Sequence, residues 1–95
     1  MAAYILVDTK VTDPTRYDTY KKLAEAAIAK HGGRYLVRGG EHSRLEGTWQ
    51  PSRIVILEFA TVEKARAFYD STEYLAARAA REGAANMNMV VVAGL

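Results

Sequence analysis

Three segments of this sequence consist almost entirely of apolar, strand-forming residues, and they restrict the fold more than any other feature. The segments 54–57 and 90–92 contain no polar residue, and the segment 4–7 is similar. A strand that is covered on one face alternates apolar with polar residues, whereas a strand that is buried on both faces is apolar throughout. The three segments therefore predict a sheet that needs cover on both of its faces.

Helix signals alternate with these strand signals, without a linker, a repeat or a low-complexity segment. Asp13 can cap a helix that begins at Pro14, where the missing N–H has no cost. Thr61 can cap a second helix, and a new cap at Ser71 or Thr72 predicts that this helix breaks and restarts. The predicted elements are strand Ala3–Val11, a helix from Pro14 to the glycines at 32 and 33, strand Arg34–Arg38, strand Arg53–Phe59, a helix after Thr61, a helix Glu73–Glu82 and strand Met87–Ala93.

This order, βαββα(α)β, predicts a ferredoxin-like α+β sandwich. We expect one domain over residues 1–95, with a four-stranded antiparallel sheet and the helices on one of its faces. Alternation along the strands places four apolar side chains on the uncovered face: Leu6, Leu36, Ile54 and Ile56. An apolar patch of this kind marks an interface, and the simplest cover is a second copy of the chain in a homodimer. The alternative is that the restarted helix and the long loop fold over this face.

Composition excludes several classes of protein. The 95 residues include no cysteine, no signal-peptide pattern at the N-terminus and no apolar run long enough to cross a membrane, so we expect a cytoplasmic protein. The net charge of +2 is spread along the chain, which disfavours nucleic-acid binding. An RNA-recognition domain has the same element order, but it needs stacking aromatics and glycine on its third strand, where this chain is aliphatic.

Charged residues interrupt the apolar strands at a few positions. If the second and third strands pair, Arg34 and Glu58 can form a cross-strand ion pair at the sheet margin. Alternatively, an arginine of these strands faces a cavity and receives an anionic group, because its planar fork donates two parallel hydrogen bonds to a carboxylate. Arg38 and Arg53 are the further candidates for this role.

The long connection after the second strand contains His42, Glu46 and Trp49. A His–Glu pair can transfer protons near neutral pH, although a solvated loop histidine is the simpler interpretation. His31 lies at a helix end and is interpreted as structural. Two histidines without cysteine match no common metal-ligand spacing, and no cofactor motif is present. Four tyrosines lie on predicted helices, where core packing with the hydroxyl reaching the surface is the simpler role: Tyr17, Tyr20, Tyr69 and Tyr74.

The chain also resembles a bacterial family called domain of unknown function thirteen-thirty, in the dimeric α/β barrel superfamily. The resemblance rests on Gly32–Gly40, Glu46–Arg53 and Leu57–Phe59, together with Ala65, Tyr69–Ser71 and Glu73–Tyr74. It departs at Ala60–Thr61, where a proline-containing strand end is expected. The resemblance implies a ferredoxin-like fold that dimerises through its sheets. Related families include cofactor-free monooxygenases, muconolactone isomerases and heme-binding enzymes, but none of their catalytic residues maps onto a motif in this chain.

These observations lead to one functional hypothesis and two alternatives. The first is that the protein binds a small anionic or aromatic molecule in a pocket beside the sheet, with arginines on a carboxylate, aromatic side chains on a ring and His42 moving a proton. The alternatives are a cofactor-independent isomerase or monooxygenase-like enzyme that uses the same pocket, and a structural dimer without a ligand. The candidate ligand-binding residues are Arg38, His42, Glu46, Trp49, Arg53, Tyr69, Ser71 and Tyr74.

Overall fold

A computed structural model describes all 95 residues and confirms the predicted element order. Some bounds differ by one or two residues, because the third strand begins at Ile54 and the last strand begins at Ala85. None of the three helices is long and apolar enough to cross a membrane. The elements are β1 Ala3–Val11, α1 Pro14–Lys30, β2 Arg34–Arg38, β3 Ile54–Phe59, α2 Val62–Tyr69, α3 Thr72–Ala80 and β4 Ala85–Ala93.

Each helix begins at a side chain that accepts a hydrogen bond from a free backbone amide three residues further on. Asp13 does so for α1 at 3.2 Å, and Thr61 does so for α2 at 3.1 Å. Ser71 accepts from the amide of Tyr74 at 3.1 Å and begins α3. Because a fresh cap starts a new helix axis, the predicted break between α2 and α3 falls at Ser71.

The four strands form one antiparallel sheet in the order β2-β3-β1-β4, which is the ferredoxin-like topology. The helices cover one face, and the core lies between them and the sheet. The predicted pair of Arg34 and Glu58 is confirmed, since the two residues are cross-strand partners with Nε and Oε1 2.6 Å apart. Arg34 remains largely exposed, so this pair contributes under about 1 kcal/mol to stability.

The other face of the sheet is apolar and uncovered. Ile5 and Val7 are buried under the helices, whereas Leu6 between them points away and is 37% exposed. Leu6 is the cross-strand partner of Ile56 and of Val90, which is 61% exposed. The helix part of the alternative cover is wrong, because α3 packs against α1 on the opposite face. The long loop bonds to Asp8 at one end of the sheet and leaves Leu6 and Val90 exposed. The uncovered face, called the open face below, carries all four side chains predicted for it: Leu6, Leu36, Ile54 and Ile56.

A β-bulge in β2 decides where one candidate residue points. The pairing with β3 shifts by one residue between Tyr35 and Val37, and Leu36 is the extra residue. A bulge changes the face to which the following side chains point. Arg38 consequently lies on the helix-covered face, where its Nη2 donates to Glu25 of α1 at 2.9 Å.

Candidate functional site

A small cavity lies between the sheet and the three helices, with most of its helical wall from α1. It encloses about 30 Å³, which is room for about one water molecule, and about 430 Å³ when the solvent in its mouth is included. Three charged side chains, Lys21, Arg38 and Arg53, line it and reach solvent. Its apolar walls include Val7, Ile28, Leu57, Phe68, Met87 and Met89.

Arg53 is the charged group at this cavity that has no acidic partner. It forms no ion pair, and its Nε is buried without a hydrogen-bond partner. Its guanidinium lies against the backbone of Gly39, where a Cβ would come within 2.6 Å of Cζ. Gly39 also has a φ of +70°, a conformation that glycine adopts easily. The local sequence therefore leaves room for Arg53 beside the end of β2.

Thr9 adds a second polar group without a partner. It lines the cavity from β1 and is 1% exposed, and its Oγ1 has no hydrogen-bond partner. Its backbone amide donates to the carbonyl of Arg53 at 2.9 Å, which fixes the two residues next to each other. Buried polar groups are nearly always hydrogen-bonded, so the Oγ1 of Thr9 is available to a group that enters the cavity.

Two tyrosines meet at the wall of the same cavity. The hydroxyl oxygens of Tyr20 and Tyr74 lie 2.7 Å apart, and both side chains are buried. The expectation that these hydroxyls reach the surface is wrong, because each satisfies the other inside the core. Burial raises the pKa of Tyr20 well above its usual value of 10.0, and burial raises the pKa of Tyr74 as well. Both phenols are therefore protonated at neutral pH.

Arg38 is held in place on two sides. Glu25 accepts its hydrogen bond, and its Cζ lies 4.3 Å from the centre of the Tyr35 ring. A guanidinium that stacks on an aromatic face keeps its planar fork in one orientation. Arg38 thus lines the cavity with its charge already partnered by an acidic side chain.

The structure brings three of the eight predicted site residues to the cavity, namely Arg38, Arg53 and Tyr74. The residues of the long loop lie elsewhere. His42 donates from Nε2 to the carbonyl of Pro51 at 2.9 Å, and it makes no hydrogen bond to Glu46. The His–Glu pair, which was the alternative to a solvated loop histidine, is therefore not formed. Glu46 is exposed and forms no ion pair.

Trp49 instead helps to attach the loop to the sheet. Its Nε1 donates to Oδ2 of Asp8 at 3.1 Å, and the amide of Ser52 donates to Oδ1 at 2.9 Å. The hydrogen bond from Ser52 is the main cause that lowers the pKa of Asp8, and the bond from Trp49 acts in the same direction. Asp8 thus fixes the end of the loop that leads into Arg53.

The last two candidates lie near the junction of α2 and α3. Ser71 accepts from the amide of Tyr74 and donates to the carbonyl of Phe68 at 2.6 Å, so both functions of its hydroxyl are used by the cap. Tyr69 packs against Tyr74, and the guanidinium of Arg78 lies 4.5 Å from the centre of its ring. Tyr69 lines a separate, open groove of about 540 Å³ beside α2 and does not line the cavity.

The sequence did not point to Thr9, Lys21 or Glu25 as site residues. Threonine is a common strand residue, so Thr9 does not stand out in the sequence. Lys21 and Glu25 lie on a helix surface, where charged residues are expected. Tyr20 was assigned to the core, which is correct, but its hydroxyl partner lies 54 positions away. The one available signal was the polar Thr9 at a position of β1 that faces the core.

The sequence matches the family described as a domain of unknown function, DUF1330, over residues 2–95. The chain therefore belongs to this family. A search of the curated proteins found no match. No three His, Cys, Asp or Glu side chains lie close enough together to hold a metal ion.

Several solved structures are similar in fold. A protein of unknown function from Rhodopseudomonas palustris is 16% identical, with a TM-score of 0.78 over 99% of this chain and 82% of that one. SnoaB, a cofactor-independent oxygenase from Streptomyces nogalater, is 9% identical, with a TM-score of 0.67 over 99% and 93%. A dimeric protein of unknown function with a ferredoxin-like fold, from Bacteroides fragilis, is 17% identical, with a TM-score of 0.64 over 98% and 96%. At these identities the similarity shows the fold alone.

Proposed function

We propose that this member of the DUF1330 family binds a small organic anion with an apolar or aromatic body in the cavity between its sheet and its helices. The observation that carries the proposal is the guanidinium of Arg53, which lines the cavity without an acidic partner. A partly buried cation without a counter-charge is unfavourable, and an anionic ligand removes that cost.

The unpartnered groups at the cavity favour a ligand rich in acceptors. Arg53 offers only donors, and its Nε–H is buried without an acceptor. Thr9 can donate through its free hydroxyl. A carboxylate has two oxygens that accept from a guanidinium in parallel, and it is the simplest group that satisfies these donors.

The apolar walls favour a ligand with a flat or aliphatic body. The enclosed 30 Å³ is smaller than a ring, so binding requires the walls to move. Met87 and Met89 line the cavity, and unbranched thioether side chains change rotamer at low cost. Lys21 and Arg53 are long side chains that are only partly buried, so the mouth can widen without a change in the backbone.

The chemistry of the lining favours binding over proton transfer. The cavity wall contains no carboxylate and no imidazole, and the phenols of Tyr20 and Tyr74 stay protonated at neutral pH. A general base must lie within hydrogen-bond reach of the proton that it removes. His42 does not line the cavity and bonds to the carbonyl of Pro51 on the long loop, which does not favour it as that base. An isomerase or oxygenase activity is therefore the weaker candidate.

A homodimer formed through the open face is part of this proposal. Leu6 and Val90 lie exposed beside Ile56 on that face. Covering such a side chain fully contributes about 1.5–3 kcal/mol. The similar protein from Bacteroides fragilis is dimeric, which supports the same arrangement here. A second copy would cover the face that the helices leave open.

Thermal unfolding in the presence of small aromatic carboxylates tests the binding site. Benzoate and salicylate are suitable probes, and a ligand at about 100 times its dissociation constant stabilises the native state by about 2.7 kcal/mol. We expect a rise of several degrees in the melting temperature for the wild type. Arg53→Gln should abolish this rise. Arg44→Gln is the matched control, because Arg44 is exposed, forms no ion pair and lies in the same loop region.

The two variants separate a specific site from a general charge effect. Loss of the rise in Arg53→Gln alone supports the proposal. Equal rises in both variants, or no rise with any aromatic carboxylate in the wild type, would overturn it. Calorimetric titration gives the affinities directly. The wild type is titrated with benzoate and with salicylate, and each of the two variants is titrated with benzoate.

A further inference from the structure

We infer that Glu25 restricts the cavity to ligands with a single negative charge. The inference rests on the proposed function and concerns the same site. The inference follows from the ion pairs at the cavity, because two of the three cations there already have an acidic partner. Glu25 does not line the cavity itself, but it holds a residue that does.

The charges at the cavity leave one positive charge over. Lys21 lies 3.3 Å from Asp18, and Arg38 lies 2.9 Å from Glu25. Arg53 forms no ion pair. Three cations and two carboxylates thus leave a net charge of +1, and a monoanion on Arg53 balances it. A dianion would bring a second negative charge, and the two other cations at the cavity, Lys21 and Arg38, already have acidic partners.

Because of the position of Arg38, the carboxylate of Glu25 lies where the second negative charge of a dianionic ligand would bind. The bulge at Leu36 turns Arg38 onto the helix-covered face, and the ring of Tyr35 supports its guanidinium 4.3 Å away. Glu25 then occupies one edge of the fork. An incoming anion that approaches this guanidinium meets the negative charge of Glu25 beside it, whereas Arg53 has no acidic neighbour.

Removal of the Glu25 charge should therefore change selectivity. In Glu25→Gln, Arg38 keeps its support on Tyr35 but loses its negative partner, so two guanidinium groups become available to the ligand. The affinity for a dianion should rise relative to the affinity for a monoanion. Since the Arg38–Glu25 pair is partly exposed, we expect the ratio of the two dissociation constants to change by about threefold.

Two probes of the same shape isolate the charge of the head group. Benzenesulfonate and phenylphosphonate each place a tetrahedral head on one ring, and at about pH 8.5 the first carries one negative charge and the second close to two. Calorimetric titration of both probes into the wild type should show tighter binding of benzenesulfonate. In Glu25→Gln, the ratio of the two dissociation constants should change by about threefold in favour of phenylphosphonate.

Glu58→Gln is the matched control. It changes the net charge of the protein by the same amount and removes an ion pair with Arg34, but neither residue lines the cavity. The inference would be overturned if the ratio of the two dissociation constants were the same in wild type and Glu25→Gln, or if Glu58→Gln changed that ratio equally. The proposed function would still stand in that case, provided that benzoate binding depends on Arg53. If the wild type binds no aromatic anion at all, the proposed function itself is wrong, and this inference is wrong with it.

Discussion

The hydroxyl oxygens of Tyr20 and Tyr74 lie 2.7 Å apart inside the core, and this hydrogen bond joins α1 to α3. The two helices pack against each other, and the phenol pair lies within that contact. Tyr74 has a further weak contact, since its oxygen is 3.9 Å from Sδ of Met89. Tyr20 has no hydrogen-bond partner other than Tyr74.

This asymmetry predicts unequal effects of removing the two hydroxyls. Tyr74→Phe leaves the buried hydroxyl of Tyr20 without a partner and should lower the free energy of unfolding by about 1–3 kcal/mol. Tyr20→Phe should cost less, because the oxygen of Tyr74 keeps its contact with Met89. The double variant should be less destabilised than the sum of the two single variants, because it leaves no unsatisfied hydroxyl. Urea denaturation of the four proteins measures all three differences. Additive losses would show that the bond between the phenols contributes nothing.

Glu73 joins the start of α3 to the end of α1. Its carboxylate lies 2.8 Å from Nε2 of His31 and 2.9 Å from Nζ of Lys30. The bond to His31, followed by the bond to Lys30, lowers the pKa of Glu73 from 4.5 to about 2. A carboxyl whose pKa is lower in the folded state adds stability above its unfolded pKa and loses it as the pH falls towards the folded value. This contribution should therefore disappear between about pH 4.5 and pH 2.

The variant Glu73→Gln makes this pH dependence measurable. At pH 6 the wild type should be more stable than Glu73→Gln, and the difference in the urea midpoint should shrink steadily below about pH 4.5. Glu41→Gln serves as the control, because Glu41 is exposed in the loop and forms no ion pair. A difference between wild type and Glu73→Gln that stays constant from pH 6 to pH 3 would contradict the assignment.

The open face predicts how the protein assembles. Leu6 is 37% exposed at the centre of that face, and Leu23 is 39% exposed on the outer surface of α1. Introducing a charge with Leu6→Asp should convert a dimer into a monomer, because a buried carboxylate without a partner is costly. Leu23→Asp, at equal exposure, should leave the mass unchanged. Light scattering coupled to gel filtration gives the mass of each protein. A monomeric wild type, or a dimeric Leu6→Asp, would contradict assembly through this face.

Much of the fold could be predicted because its signals are local. Capping side chains mark the helix starts at Asp13, Thr61 and Ser71, and the hydrogen bonds at all three are present. Strict alternation along β1 and β3 placed Leu6 and Ile54 on the correct face, since a regular strand has a period of two residues.

The candidate site was harder to predict because it depends on irregular backbone and on distant contacts. Simple alternation from Tyr35 places Arg38 on the open face, and only the bulge at Leu36 brings it under the helices. The loop that contains His42 and Glu46 has no period from which side-chain directions could be derived. The hydrogen-bond partner of a side chain is harder still to predict, because it can lie on another element, as Glu25 of α1 does for Arg38 of β2.

Gly39 gives a test of how the backbone supports the proposed anion site. Gly39 and Gly47 lie in the same loop region with φ values of +70° and +86°, so alanine strains the backbone at both positions, by about 1–2 kcal/mol. A Cβ at Gly39 would collide with the guanidinium of Arg53, whereas a Cβ at Gly47 meets nothing within 4 Å. Both variants should therefore lose stability through backbone strain, but only Gly39→Ala should lose the rise in melting temperature with benzoate. If Gly39→Ala binds benzoate as tightly as Gly47→Ala does, Arg53 does not need this position to hold the ligand.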